Sequence, residues 1–132
     1  MKTICVYLSI RGYIIKQRFV GNQHGEDIIT ENGNIKFIIE AKGETSSGNS
    51  PRSGKPFSSG QIRTHISVAL FKVSEILSEN EFNRLIRVGI ALPKTESHIR
   101  IMNKISRVIN KLGVHIFWVD ENRSVSVISQ KI

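Results

Sequence analysis

The stretch from Asp27 to Lys42 constrains this chain more than any other. Asp27 to Glu31 and Ile35 to Lys42 are both β-type runs, and Asn32-Gly33-Asn34 lies between them. An Asn-Gly pair between such runs favours the tight turn of a hairpin, because glycine reaches positive φ without steric cost. The second run is strongly apolar until it closes on Glu40-Ala41-Lys42, an acid and a base two residues apart. Side chains two apart on a strand project to the same side, so Glu40 and Lys42 share a face while Ala41 turns toward the core. A charged pair there is costly unless it meets a cation, a partner or water. If the hairpin pairs this run with the one beginning at Asp27, a second carboxylate arrives beside Glu40. Two hard oxygen ligands on neighbouring strands suit a magnesium ion that stays open to waters and a phosphate.

The elements around the hairpin follow from periodicity. A short apolar first helix should end near Gly12, followed by a strand at Ile14 to Val20 and a turn at residues 21–25. From Gln61 onward Ile62, Ile66, Ala69, Leu70, Val73, Ile76 and Leu77 recur at helical spacing, which predicts a long amphipathic helix. It should pack over the hairpin through Ile62, Ile66 and Leu70, with Ile38 and Ala41 on the buried side of the sheet. Arg87 to Leu92 reads as a buried strand ended by Pro93. Ile101, Met102, Ile105, Val108, Ile109 and Leu112 predict a second long helix closed by Gly113. Val114 to Val119 and Ser124 to Ile128 are final strands around Glu121-Asn122. Helix, three-strand meander, helix, strand, helix, strand, strand implies an α/β sandwich, a mixed sheet flanked by helices.

Composition sets the class. At 132 residues, 39% apolar and 23% charged, the chain reads as one folded domain spanning residues 1–132, with a Gly-, Ser- and Pro-rich loop at about 43–60. Nineteen Lys and Arg against eleven Asp and Glu give +8, which favours a polyanion and above all nucleic acid, since clustered cations release counterions from phosphates. The single Cys5 excludes an intramolecular disulfide and a thiolate zinc cage, and fits a reducing intracellular, cytoplasmic setting. The apolar opening Met1 to Ile10 is too short for a bilayer span and lacks a small-residue cleavage site, so no membrane is expected.

Asp27, a hairpin, then Glu40-Ala41-Lys42 resembles the motif of the PD-(D/E)xK, restriction-endonuclease-like nucleases. There an Asp at the start of one strand is followed by an acid-x-Lys at the end of the next. Glu40-Ala41-Lys42 is the only acid-x-Lys triplet in the chain, and the resemblance extends over the core order from Gly12 to Val119. It implies a restriction-endonuclease-like core and hydrolysis of phosphodiester bonds. Asp27, Glu40 and the Ala41 carbonyl would bind Mg²⁺, for which Mn²⁺ can substitute, and Lys42 would orient or activate the attacking water. The chain departs from the pattern in having Glu26 where the motif has Pro, and no acid precedes Glu26.

Gln61 occupies the place where some family members carry a helix Gln, and His65 stands one turn later. Gln61 then contacts the nucleophilic water or the scissile phosphate; equally, Ser58-Ser59-Gly60-Gln61 is a capping box that returns Gln61 to the Ser58 amide. Arg52, Lys55 and Arg63, together with His65, are candidate DNA contacts. Arg100, Lys104, Arg107 and Lys111 are expected along one face of the second long helix as a basic ridge. The expected partner is DNA and the expected assembly a homodimer, because cutting two strands needs two sites. No nucleotide cofactor is expected. The alternative is a non-catalytic nucleic-acid-binding module on a nuclease-like fold.

Overall fold

The computed structural model describes residues 2–20, 25–43 and 57–128. Its elements in chain order are α1 (Lys2–Ile10), β1 (Ile14–Val20), β2 (Gly25–Asn32), β3 (Ile35–Lys42), α2 (Ser59–Glu79), β4 (Ile86–Pro93), α3 (Glu96–Asn103), α4 (Ser106–Leu112), β5 (His115–Val119) and β6 (Val125–Ile128). The expected loop at 43–60 lies largely outside the described residues, as do Arg52 and Lys55.

All six strands form one sheet in sequence order. The first three make an antiparallel meander, β4 and β5 add in parallel to β3 and to one another, and β6 closes the sheet antiparallel to β5. The two parallel joins are the ones spanned by helices: α2 crosses from β3 to β4, and α3 with α4 crosses from β4 to β5. A parallel connection has to return the chain to the same end of the sheet, and an intervening helix does this. The turn of the hairpin consists of Gly33 and Asn34, with Asn32 and Ile35 as its last strand pair. Gly33 takes φ 59°, so the glycine of the Asn-Gly pair is the residue that bends the chain.

Two cores sit on opposite faces of the sheet, making the fold a mixed-sheet α/β sandwich of three layers. On one face Ile4 and Leu8 of α1 meet Ile28, Phe37, Ile39, Ala41, Ala91 and Phe117. Rings reinforce this side, with Tyr7 and Phe37 set edge-on against Phe117 at 6.0 and 5.5 Å. On the other face α2, α3 and α4 bury Ile62, Ile66, Ala69, Val73 and Leu77 with Val88, Ile90, Leu92, Ile101, Met102 and Ile109, and Leu70 packs at the margin. No described helix is long and apolar enough to cross a membrane.

Two expectations are corrected. Ile38 and Ala41 do not share a side: three residues apart on a strand, they face opposite ways, Ala41 into the α1 core and Ile38 beside Glu40 under α2. The second long helix is two helices, broken between Asn103 and Ser106. Ile105 there leaves helical geometry at φ −121° and ψ 17°. Ser106 and the β-branched Ile105 are weak helix formers, and a break this short leaves the apolar spacing unchanged, so Met102 and Ile109 are both buried while Val108 is exposed. The basic ridge is divided accordingly, with Arg100 on α3, Lys104 at the break, and Arg107 and Lys111 on α4.

Where β4 passes β5 the backbone leaves no room for a side chain at Gly89. A Cβ there would lie 2.7 Å from Phe117 Cε1 and 3.1 Å from the His115 carbonyl oxygen. The Phe117 ring is wedged between α1 and the sheet and cannot move aside freely. Gly89→Ala is therefore expected to cost about 1–3 kcal/mol, the usual range for overpacking a core. Urea unfolding with an unchanged m-value checks this, and a neutral substitution would show that the ring repacks.

Candidate functional site

The register of the hairpin places Asp27 directly opposite Glu40, with Ile28 opposite Ile39 and Glu26 opposite Ala41. Both carboxyl groups lie on the α2 side of the sheet and line the same cleft. Lys42 follows on the same side, its Nζ 3.1 Å from Glu40 Oε1. Both members of that pair are enclosed, Glu40 with 4% and Lys42 with 1% of the side chain exposed. Asp27, at 43%, opens to solvent. Asp27, Glu40 and Lys42 are thus brought together, as their spacing implied. Ala41 is paired with Glu26 on one side and Ala91 on the other, which puts its carbonyl in the plane of the sheet.

A fourth group completes the arrangement. Lys72, two-thirds of the way along α2, reaches both acids, with Nζ 3.8 Å from Asp27 Oδ1 and 3.5 Å from Glu40 Oε1. Lys72 is not among the residues the sequence singles out, because it lies on the polar border of the apolar stripe of α2. The signal was available: Lys72, Glu75, Ile76 and Glu79 recur at three- and four-residue steps and so share one face. That face forms one wall of a cleft of about 390 Å³, and Asp27, Ile29, Ile38 and Glu40 form the other. Four carboxylates and one ammonium line the cleft, so it is acidic on a chain whose net charge is +8. Among the described residues no group of three or more His, Cys, Asp or Glu converges as a metal cluster.

Opposed effects act on Glu40. Burial penalises its charge, and the neighbouring Asp27 carboxyl, which can accept from a protonated Glu40, favours the neutral form, while the Lys42 ammonium pulls the other way. Burial and Asp27 win, and the carboxyl is pushed up from its ordinary 4.5 to about 7. At neutral pH Glu40 is therefore partly protonated, and a cation that binds it displaces that proton.

The remaining candidates sit elsewhere. Gln61 closes the capping box, its Oε1 accepting from the Ser58 amide at 2.9 Å while Ser58 Oγ accepts from the Gln61 amide at 3.2 Å. Eleven residues of helix separate Gln61 from Lys72, roughly 16 Å at ~1.5 Å per residue. His65 meets the Phe57 ring edge-on at 4.4 Å. Arg63 is exposed in the first turns of α2, and Arg100 Nη2 donates to Ser59 Oγ at 3.3 Å, so two cations stand near the start of that helix. His98 and His115 were not singled out by the sequence. Both are buried, and burial first, then a neighbouring cation or histidine, pushes each down to about 4, so both are neutral at pH 7.

No family model matches the chain, and no curated protein matches it either.

The Glu40 shift has a pH signature. Below 4.5 the carboxyl is protonated in both folded and unfolded chains; between 4.5 and about 7 only the unfolded chain ionises. Glu40 therefore lowers stability as pH rises through that window, by up to on the order of 3 kcal/mol, and adds nothing further above it. His98 and His115 act oppositely, lowering stability as pH falls from 6.5 toward 4. The difference between Glu40→Gln and wild type cancels the histidine contribution, so the Glu40→Gln variant should become relatively more stable with rising pH from 4.5 to 7. A difference that is flat across this range, measured by chemical unfolding at several pH values, would contradict the assignment.

Proposed function

We propose that this chain is a divalent-metal-dependent phosphodiesterase that cuts DNA, with Asp27 and Glu40 as ligands of Mg²⁺ or Mn²⁺ and Lys42 as the cation beside the attacking water. One observation carries this reading: two carboxyl groups stand opposite each other on neighbouring strands, with a buried lysine 3.1 Å from one of them.

The residues fit such an ion. Mg²⁺ binds through one or two carboxylates and keeps waters and substrate phosphates as its other ligands, so two acids suffice. Side chains that already converge on the Lys72 ammonium can converge on a metal cation. The Ala41 carbonyl is the third proposed ligand. When bound, the metal would polarise a phosphoryl oxygen and acidify water. Lys42 is held in place by enclosure and by Glu40, and a fixed ammonium beside the reacting phosphate stabilises developing charge without reorganising. Lys72 is 41% exposed and can leave the carboxylates for solvent or for a phosphate when an ion replaces it. Arg63 and Arg100, with Arg52 and Lys55, are the proposed backbone contacts. The order of strands and helices, with the hairpin feeding α2 and β4, supports a restriction-endonuclease-like core. A homodimer is the proposed assembly for double-strand cutting, with restriction, repair or mobile-element DNA as the substrate class.

A second reading, a nucleic-acid-binding module without catalysis, is favoured by Lys72. An ammonium within 4 Å of both acids answers their charge from inside the chain, and such a site is stable without metal.

Plasmid, linear duplex, single-stranded and branched DNA, incubated with Mg²⁺ or Mn²⁺ against an EDTA control, separate the two. Divalent-dependent cleavage is expected, and Lys42→Ala should reduce it by on the order of a hundredfold or more while DNA affinity changes little. Lys42→Met, which keeps the buried stem, guards against mere unfolding. If wild type binds DNA, cuts none of the substrates with either metal and behaves as Lys42→Ala does, the module reading replaces the enzyme.

Metal binding itself gives a further expectation. Affinity for Mn²⁺ should rise with pH up to about 7, where Glu40 loses its proton. Lys72→Ala should tighten binding roughly fivefold, since a half-exposed ion pair is worth about 1 kcal/mol and the ammonium competes for the same oxygens. Titration by calorimetry at two pH values tests both, and weaker binding in Lys72→Ala would show that Lys72 supports the site instead of competing for it.

A further inference from the structure

The sheet ends in two unlike edges. At β1 the register with β2 slips at a bulge between Ile15 and Gln17, and Lys16 adds an exposed charge there. Bulges and charges are the usual devices that keep an exposed edge from pairing with another chain. β6 has neither. Val125-Ser126-Val127-Ile128 carries no charge and no proline, and its register with β5 is unbroken. Two hydrogen bonds fix which way its backbone groups point. The Lys94 amide donates to the Val119 carbonyl on the β4 side, and the Asp120 amide donates to the Ser124 carbonyl on the β6 side. Backbone groups alternate in direction along a strand, so Ile116 and Trp118 turn theirs toward β6, where they meet Ile128 and Ser126. Val125 and Val127 therefore turn their N–H and C=O outward, four groups with no described strand beyond them.

Apolar surface frames this edge on both sides. On the α1 side Val125 lines a pocket of about 440 Å³ together with Val6, Tyr7 and Ile10, among others. Val6 is 58% and Ile10 77% exposed, an outer face of α1 that no described element covers. On the other side Ile128, 55% exposed, borders a smaller pocket of about 180 Å³ with Trp118 and Met102. Single exposed aliphatics are ordinary, but an unprotected strand edge between two apolar hollows fits a partner that is itself a strand. Such a partner has to offer outward N–H and C=O groups at the same spacing and small uncharged side chains on both faces. β6 of a second copy meets both requirements.

We propose that β6 is a dimer interface, pairing antiparallel with β6 of a second copy about a twofold axis at Ser126. In this register Val125 stands opposite Val127 of the second copy and Val127 opposite its Val125. Each pair exchanges two N–H···O=C bonds, so all four outward groups of each chain are used. The axis is perpendicular to the sheet and keeps α1 of both copies on one face. There Val127 of the second copy enters the pocket beside Val6 and Ile10, and valine opposite valine is a favourable cross-strand pair. On the other face Ser126 meets its own copy and Ile128 lies against Ser124, small residues that leave room for it. The cations at the seam stay apart, because Arg123 of the two copies are six residues distant along the paired strands, roughly 20 Å at ~3.3 Å per residue. The two acidic clefts open on the same side of the joined sheet, roughly 40 Å apart at ~4.8 Å per strand. This pairing gives the proposed homodimer its surface; its use in double-strand cutting rests on that reading, and its existence does not.

The test is analytical ultracentrifugation of the full chain in EDTA and without DNA, so that neither metal nor substrate takes part. A concentration-dependent monomer–dimer equilibrium is expected, and added salt should tighten it, since each copy carries +8 and screening weakens their repulsion. Ser126→Lys, at an exposed position, sets two ammonium groups face to face at the axis and should weaken dimerisation by on the order of tenfold or more. Ser126→Cys gives a reading of geometry. Antiparallel partners that are not hydrogen-bonded have Cα atoms about 4.5 Å apart, within the disulfide range, so this variant should cross-link to a covalent dimer on mild oxidation. Wild type, with its half-buried Cys5, and Ser78→Cys, exposed on α2, should not. A chain that stays monomeric at every concentration, with Ser126→Cys no more cross-linked than Ser78→Cys, overturns the proposal. So does a dimer that Ser126→Lys leaves intact, which places the interface elsewhere. Neither failure bears on metal binding in the cleft, which is read separately by the Mn²⁺ titration.

Discussion

The Glu40–Lys42 pair is the interaction on which the rest of this structure depends. β3 is a central strand, flanked by β2 and β4 and covered on both faces, and it ends in a lysine with 1% of its side chain exposed. Removing an ammonium from water costs several kcal/mol unless a negative partner replaces the lost hydration. Glu40 is that partner, yet Glu40 is buried too, and its carboxyl rises to about 7 because one lysine does not offset its own desolvation and the neighbouring Asp27. The pair is thus under-neutralised, and the surrounding elements answer it. β2 brings a second acid, α2 sends Lys72 across the gap, and the cleft between them stays open where a closed core would have excluded all of these groups.

Much of this was legible in the sequence. Strand ends two residues apart in Glu40-Ala41-Lys42 fix which side chains share a face, and Gly33 fixes the register that sets Asp27 against Glu40. Both are local rules with a period of two, and they hold as long as the strands form. α2 was equally readable, since Ile62, Ile66, Ala69, Val73 and Leu77 are all buried at helical spacing. The parallel joins of β3 to β4 and β4 to β5 follow once helices intervene between strands.

What was not legible depended on contacts between distant elements or on breaks that leave the pattern intact. Lys72 is an ordinary helix-border lysine until the α2 crossover lays it 3.5 Å from Glu40, thirty-two residues earlier. The break between α3 and α4 preserves the apolar spacing on either side, so periodicity alone reads through it. Gln61 had two consistent local readings, and the one realised in the structure is the shorter-range one, because the Ser58 backbone is always within reach and a ligand is not.

The charge map imposes an order on any chemistry at the cleft. A chain of net charge +8 draws a polyanion toward its surface, but the walls formed by Asp27, Glu40, Glu75 and Glu79 repel phosphate at close range. A phosphodiester can settle there only after a cation has reversed the local sign, and Lys72 alone does not, since four acids face it. On the proposed function, a divalent ion would therefore have to bind before substrate, in place of the Glu40 proton and the Lys72 ammonium. The released lysine, on the exposed side of the cleft, would then lie on the path by which the phosphate approaches. On that proposal the half-exposed Lys72, which offsets the two acids from inside the chain, would also be free to offset a substrate's charge.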